Sequence, residues 1–232
     1  DFVFTKHKNK IDWLRNNGHE IGWHFHSFVK VNEKWQQNNN EENVVKELTD
    51  NYSIAKKYDL KLLRMGWTYH TNKTFIAAES FNLLADCSAL PRPNYQWDMA
   101  LRDWENTPQQ PYFPSSENYK LPGFPSRKLL EFPITVTPIA APYDTQKEVL
   151  RYINPCYHHA VFTQAMEQVN TENLNLLSHP YEYLKSKNSH ALIAFNFETF
   201  IENIEWMKIR QYEFVTMGSM VNEFLLKTPQ IA

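Results

Sequence analysis

Two histidines one residue apart, His24 and His26, are the first side chains whose type and spacing suggest chemistry. In a strand, residues i and i+2 point to the same face. Both imidazoles would then project together, with Trp23 and Phe25 packed behind them. Two neutral imidazoles side by side suit zinc or a similar divalent ion. A His-x-His pair also arises by chance in a partly exposed strand, so spacing alone leaves both readings open. Gly18 and Gly22, two of the chain's five glycines, flank the stretch. They point to a tight entry and a close backbone approach.

Three further residues sit where strands are expected to end. His179 follows the apolar run 174–178 and precedes Pro180. Active sites of α/β folds gather at the C-terminal ends of strands, and a histidine there can serve as a general acid. A loop-capping histidine is the alternative. Arg64 ends the run 60–65, where a guanidinium can orient a carboxylate by paired hydrogen bonds; a surface ion pair is the plainer reading. Asp86 ends the run 84–87 and is either a carboxylate supporting a site or a turn former. His158 and His159, near Cys156, begin an expected helix. Beside Cys156 they suggest a metal cluster, but adjacent helical residues diverge by about 100°, so a surface feature at a helix start is expected. No glycine-rich phosphate loop and no Gly-x-Ser-x-Gly elbow is present.

These residues need a frame. Helical spacing is expected over 8–17, 41–58, 72–83, 145–153, 158–168, 192–210 and 219–226. Strands are expected at 2–4, 20–28, 60–65, 84–87, 129–136, 174–178 and 213–216. Alternating helices and strands predict an α/β fold with a parallel sheet or barrel. Between 91 and 125 lie seven of the thirteen prolines, interleaved with Tyr95, Trp97, Trp104, Tyr112, Phe113, Tyr119 and Phe124. Disordered segments are poor in aromatics, so an ordered loop over a site is expected, with a loop packed on the domain's side as the alternative. Flat apolar walls of this kind suit sugar rings, and Trp67, Trp97 and Trp104 are the candidate substrate contacts.

The 232 residues suffice for one large domain or two small ones. A net charge of -2 gives no electrostatic case for nucleic acid or an anionic membrane. No apolar run approaches the ~20 residues of a membrane span. Cys87 and Cys156 are read as ordinary reduced cysteines. No targeting segment is visible, though the chain begins at Asp1 and not at Met.

Four motifs, in order, resemble the polysaccharide deacetylase (NodB homology, carbohydrate esterase 4-like) family. The stretch from Gly18 to His24 is similar to its Gly-His-Glu-Ile-Gly-x-His motif. The family's commonest form has a second metal histidine four residues after the first, where this chain has Phe28; a divergent His-x-His branch is the better likeness. Arg64-Met65-Gly66-Trp67 resembles the motif whose arginine orients a catalytic aspartate. Ala85-Asp86-Cys87-Ser88-Ala89-Leu90-Pro91 resembles an Asp-Ser-Ser-x-x-Pro segment. Leu177-Ser178-His179 resembles the Leu-x-His motif of the general acid.

The resemblance implies a single domain over 1–232, a deformed (β/α)7 barrel with an aromatic and proline-rich insertion at 91–125. It implies metal-dependent removal of an N- or O-linked acetyl group from a carbohydrate. His24 and His26 would hold the metal, most simply zinc, with His179 and Arg64 catalytic and Asp86 in support. One departure stands out: the chain has no Asp-Asp or Asp-x-Asp motif, which in the family supplies a metal ligand and the general base. Either the first strand lies outside this chain, or the protein is an inactive carbohydrate-binding relative. A metal-dependent amide or ester hydrolase with another substrate, such as a nucleotide-linked sugar, is a further alternative.

Overall fold

The computed structural model describes residues 2–91, 103–145, 149–186 and 190–228. The chain divides into two compact units. One comprises Asp1–Ala89, Pro93–Pro133 and Val215–Ala232; the other Leu90–Arg92 and Ile134–Phe214.

The first unit opens with helices α1 (Phe2–Lys6) and α2 (Lys8–Asn16). Gly18, at φ 82°, turns the chain out of α2, a left-handed conformation that costs glycine little. Strand β1 (Trp23–Phe25) follows, then β2 (Phe28–Val31) and β3 (Lys34–Gln37). Helix α3 (Glu41–Lys57) leads to β4 (Leu62–Met65), a 3-10 turn over Gly66–Thr68, and α4 (Asn72–Glu79). Strands β5 (Ala85–Asp86) and β6 (Leu130–Glu131) complete a four-strand parallel sheet in the order β1-β4-β5-β6. The register sets Trp23 beside Leu63, and Leu63, Asp86 and Glu131 in one row.

Trp23 contacts Tyr52 of α3 and also Phe81, while Tyr52 and Phe81 stack at 4.2 Å. A second cluster joins Leu62, Ala85, Cys87, Leu130 and Phe132 to Val221. Val221 belongs to the unit's closing helix, Met217–Lys227. Glu20 accepts a hydrogen bond from the Gly218 amide at that helix's start (2.7 Å), where a carboxylate also complements the helix dipole.

The second unit holds an antiparallel pair, β7 (Val136–Pro138) and β8 (Leu150–Tyr152), with α5 (His159–Glu167) and α6 (Phe197–Ile209). The closing helix of the first unit is therefore α7. Ile153, Phe162, Ala165, Met166 and Met207 form the second unit's own core.

The fold is thus mixed α/β with a parallel sheet, as the alternation predicts; no closed barrel forms among the described residues. Several local expectations are corrected. Residues 2–4 are helical, with Phe4 stacked on Tyr58 at 4.0 Å; three apolar residues are too few to define a period. Leu150–Tyr152 is a strand paired with β7 and not part of a helix. The run 174–178 forms no regular strand, yet the Thr135 amide donates to Asn175 O (3.0 Å) and the Leu177 amide to Ile153 O (3.2 Å). Residues 213–216 lead into α7 without strand structure. The expected strand 20–28 is shorter, and the β2–β3 hairpin went unseen. Its turn residues Asn32 and Glu33 both have positive φ, as a two-residue hairpin turn requires, but without the usual glycine.

Helix α3 starts at Asn40, whose side chain accepts from the Asn43 amide (3.0 Å). Asn40→Ala removes that cap and is expected to cost about 1 kcal/mol, measured by urea unfolding; an unchanged midpoint would contradict the assignment.

Candidate metal half-site and its buried support

His24 lies on β1 between buried Trp23 and Phe25 and is itself exposed. His26 lies just beyond the strand. Their rings meet edge to face at 4.6 Å, with Nε2 to Nε2 at 2.9 Å. The shared face expected from spacing is therefore present.

His24 Nδ1 is 2.9 Å from the Arg64 carbonyl oxygen. A carbonyl only accepts, so Nδ1 carries the proton. The neutral ring then has its lone pair on Nε2, aimed at His26. Histidine ligands are commonly fixed by this kind of backbone bond. Two nitrogens on one tetrahedral zinc stand about 3.3 Å apart for bonds of 2.0–2.1 Å, so a small opening of the pair would admit an ion. The two imidazoles fit part of a ligand set: among the described residues no group of three or more His, Cys, Asp or Glu is arranged to hold a metal.

His26 is clamped by aromatics. Phe28 stacks on it (5.1 Å, 9°), and Trp67 meets it edge-on (5.0 Å, 89°). Gly66 closes the third side, where a Cβ would overlap the His26 imidazole. The turn carrying Trp67 is strained. Trp67 and Thr68 have φ of 51° and 57°, a conformation costing about 1–3 kcal/mol per non-glycine residue. Buried Trp104 holds it by donating from Nε1 to Thr68 O (2.7 Å). Of the three tryptophans expected at substrate, Trp67 is beside the histidines, Trp104 is a buried brace for its turn, and Trp97 lies outside the described residues.

Arg64 has two jobs. Its carbonyl fixes His24, and its Nε donates to Cys87 O (3.0 Å). Asp86 is fully buried: Oδ1 accepts from the Ser88 amide (2.9 Å), and Oδ2 lies 3.1 Å from His70 Nε2. His70, buried against Thr74 (3.0 Å), was missed by sequence reading, as was Glu131, buried beside Asp86 and accepting from the Ala89 amide (2.8 Å). A charge inside the apolar run Leu129-Leu130-Glu131-Phe132 was the available signal for Glu131.

Burial works to raise the Asp86 carboxyl, but the charge and hydrogen bond of His70 outweigh it and hold it below its ordinary value. Burial, reinforced by the Asp86 carboxylate, pushes Glu131 well above the carboxylate range. Two negative charges in one buried row repel, so the two carboxyls are driven apart, Asp86 down and Glu131 up. Cys87 is buried and free, its thiol pushed far up by burial.

In the second unit His179 pairs with buried Glu182. The His179 amide donates to Oε2 (2.6 Å), and Nδ1 lies 3.5 Å from Oε1. Asn154 also donates to Oε2 (2.9 Å). Burial works to raise the Glu182 carboxyl, and the His179 and Asn154 bonds bring it below its usual value. A carboxylate on Nδ1 orients the ring and leaves Nε2 for proton transfer. His158 bonds His190 O (3.0 Å), and His159 bonds Asn203 Oδ1 (2.7 Å).

Gly66→Ala is expected to displace His26 and lower stability by about 1–3 kcal/mol through overpacking. Urea unfolding and zinc titration check it; wild-type behaviour in both would contradict the clamp. Asp86 has a lowered folded pKa, so its contribution is present above its unfolded value of ~3.9 and lost as pH falls through the folded value. Asp86→Asn is expected to cost about 3–5 kcal/mol at pH 7 by breaking a buried pair. It should also flatten the acid limb of stability against pH; an equally steep limb would contradict the assignment.

Comparison with models of known protein families, with curated proteins and with solved structures finds no match to this chain.

Proposed function

We propose that this chain carries out metal-dependent deacetylation of a carbohydrate, in the manner its motif order suggests. The observation that carries the reading is the convergence of His24 and His26 Nε2 at 2.9 Å, with the His24 tautomer fixed by the Arg64 carbonyl. Such a pair at the C-terminal end of a parallel strand is where α/β enzymes gather their chemistry. A deformed (β/α)7 barrel is the architecture that goes with this reading, and the parallel order β1-β4-β5-β6 is compatible with it.

His24 and His26 would hold the divalent ion, most simply zinc. When bound, such an ion polarises an acyl carbonyl and lowers the pKa of water toward ~7. The remaining roles belong to the chain. Trp67 and Phe28 offer aromatic surface beside His26 for a sugar face. Arg64 holds the β4 end that fixes His24. By motif order alone, His179, beside Glu182, would be the residue to protonate a leaving amine or alcohol. The general base and the third ligand are expected from a carboxylate motif of the family's kind.

An inactive carbohydrate-binding relative is the second reading, favoured by the partial ligand set among the described residues. No helix among them is long and apolar enough to cross a membrane.

The test pairs zinc calorimetry with acetate release from a panel of N- and O-acetylated sugars, polymeric and nucleotide-linked. Wild type is expected to bind zinc and release acetate, and His24→Ala to lose about 100-fold or more in zinc affinity, at least the loss seen for supporting residues. Sugar binding without acetate release selects the second reading. Undiminished acetate release by His24→Ala refutes the metal role.

A further inference from the structure

The peptide group between Arg64 and Met65 is held on both sides. Its carbonyl accepts from His24 Nδ1 (2.9 Å), and its N–H donates to Ser88 Oγ (2.8 Å). The Ser88 amide in turn donates to Asp86 Oδ1 (2.9 Å). Asp86 faces Glu131 across the β5–β6 register row, and Glu131 Oε1 accepts from the Ala89 amide (2.8 Å). One path of hydrogen bonds thus runs from Asp86 through Ser88 and a single peptide plane to His24, with Glu131 beside Asp86 at its start.

Glu131 Oε2 is buried and meets no donor among the described residues. As a carboxylate it would lie against a second carboxylate with an empty oxygen, which is costly in the interior. As an acid it donates to Asp86 and the account closes. Asp86 and Glu131 occupy one register row of adjacent strands, so their side chains leave the sheet on the same face and cannot separate without breaking the row.

We propose that Glu131 is a positioning residue for His24, acting through this path and only as the neutral acid. Its removal of a like charge from beside Asp86 keeps the Ser88 turn in place, and the Ser88 turn keeps the Arg64–Met65 peptide aimed at His24. Raising the pH until Glu131 ionises places two negative charges in one row, loosens the Ser88–Ala89 turn and releases the His24 tautomer.

The groups around Glu131 support this sense. Asp86 on β5 opposes its ionisation, and Arg64 on β4 favours it. Cys87 and Tyr112 nearby are neutral, both pushed up by burial. Tyr119 senses the Glu131 charge as well and is likewise raised by burial. His70 holds Asp86 from the far side. Helix α7 brings apolar side chains, Met217, Met220, Val221 and Phe224, to the Leu130–Phe132 cluster. The proposal does not depend on a bound metal or on the reaction.

Long-range ¹H–¹⁵N spectra of the full, metal-free chain read the His24 tautomer, and ¹³C spectra read the Glu131 carboxyl. Wild type is expected to show Nδ1-protonated His24 with protonated Glu131 at pH 7, and to lose both together as pH rises. Glu131→Gln, a neutral isostere, is expected to keep Nδ1-protonated His24 through that range. Coincident loss of the tautomer in wild type and Glu131→Gln would overturn the proposal. So would a Glu131 carboxyl already ionised at pH 7, which decides the matter in wild type alone if the variant does not fold.

Discussion

One peptide group, that between Arg64 and Met65, is the constraint on which the candidate site depends. Its carbonyl decides which nitrogen of His24 carries the proton. That decision leaves the other nitrogen with a lone pair facing His26. Its N–H is taken by Ser88, so the plane cannot rotate without losing two bonds at once. A flexible side chain in the same place would hold His24 less sharply, because it would first have to be ordered itself. The backbone of a central strand is already ordered by the sheet.

The same economy runs through the rest of the first unit. His26 is fixed by shape: Phe28 stacks on one face, Trp67 meets it edge-on, and Gly66 gives the ring room that any side chain would fill. Trp67 stands in a left-handed turn that Trp104 braces from its buried position. In the second unit His179 has a similar neighbour: Glu182 accepts from Asn154 and from the His179 amide, and its Oε1 lies 3.5 Å from Nδ1. Both histidine sites use a neighbour on Nδ1 and leave Nε2 for chemistry.

Much of this was legible in the sequence because it follows from period and strand ends. The i, i+2 rule by itself places His24 and His26 on one face. Asp86 and Arg64 were found by their positions at the ends of apolar runs. Glu131 carries the same signal but sits in a run read as one long strand to Val136, so its position as the last residue of β6 was hidden. His70 was invisible, because its importance comes from a turn that folds it back onto Asp86 across sixteen residues. Trp104 reads as a substrate contact because it lies in a proline-rich aromatic loop; its burial depends on tertiary contacts that composition does not report. The β2–β3 hairpin escaped for a local reason, its turn using Asn32 and Glu33 in a conformation usually marked by glycine.

Two imidazoles held together at the end of β1 are the centre of the candidate site. The most direct measurement is the X-ray absorption spectrum of the protein after equilibration with one equivalent of zinc. The account predicts zinc retained at one ion per chain, with two imidazole nitrogens at about 2.0–2.1 Å and their outer-ring scattering lost in the His24→Ala, His26→Ala double variant. A wild-type spectrum without imidazole scattering, or one the double variant leaves unchanged, would contradict it.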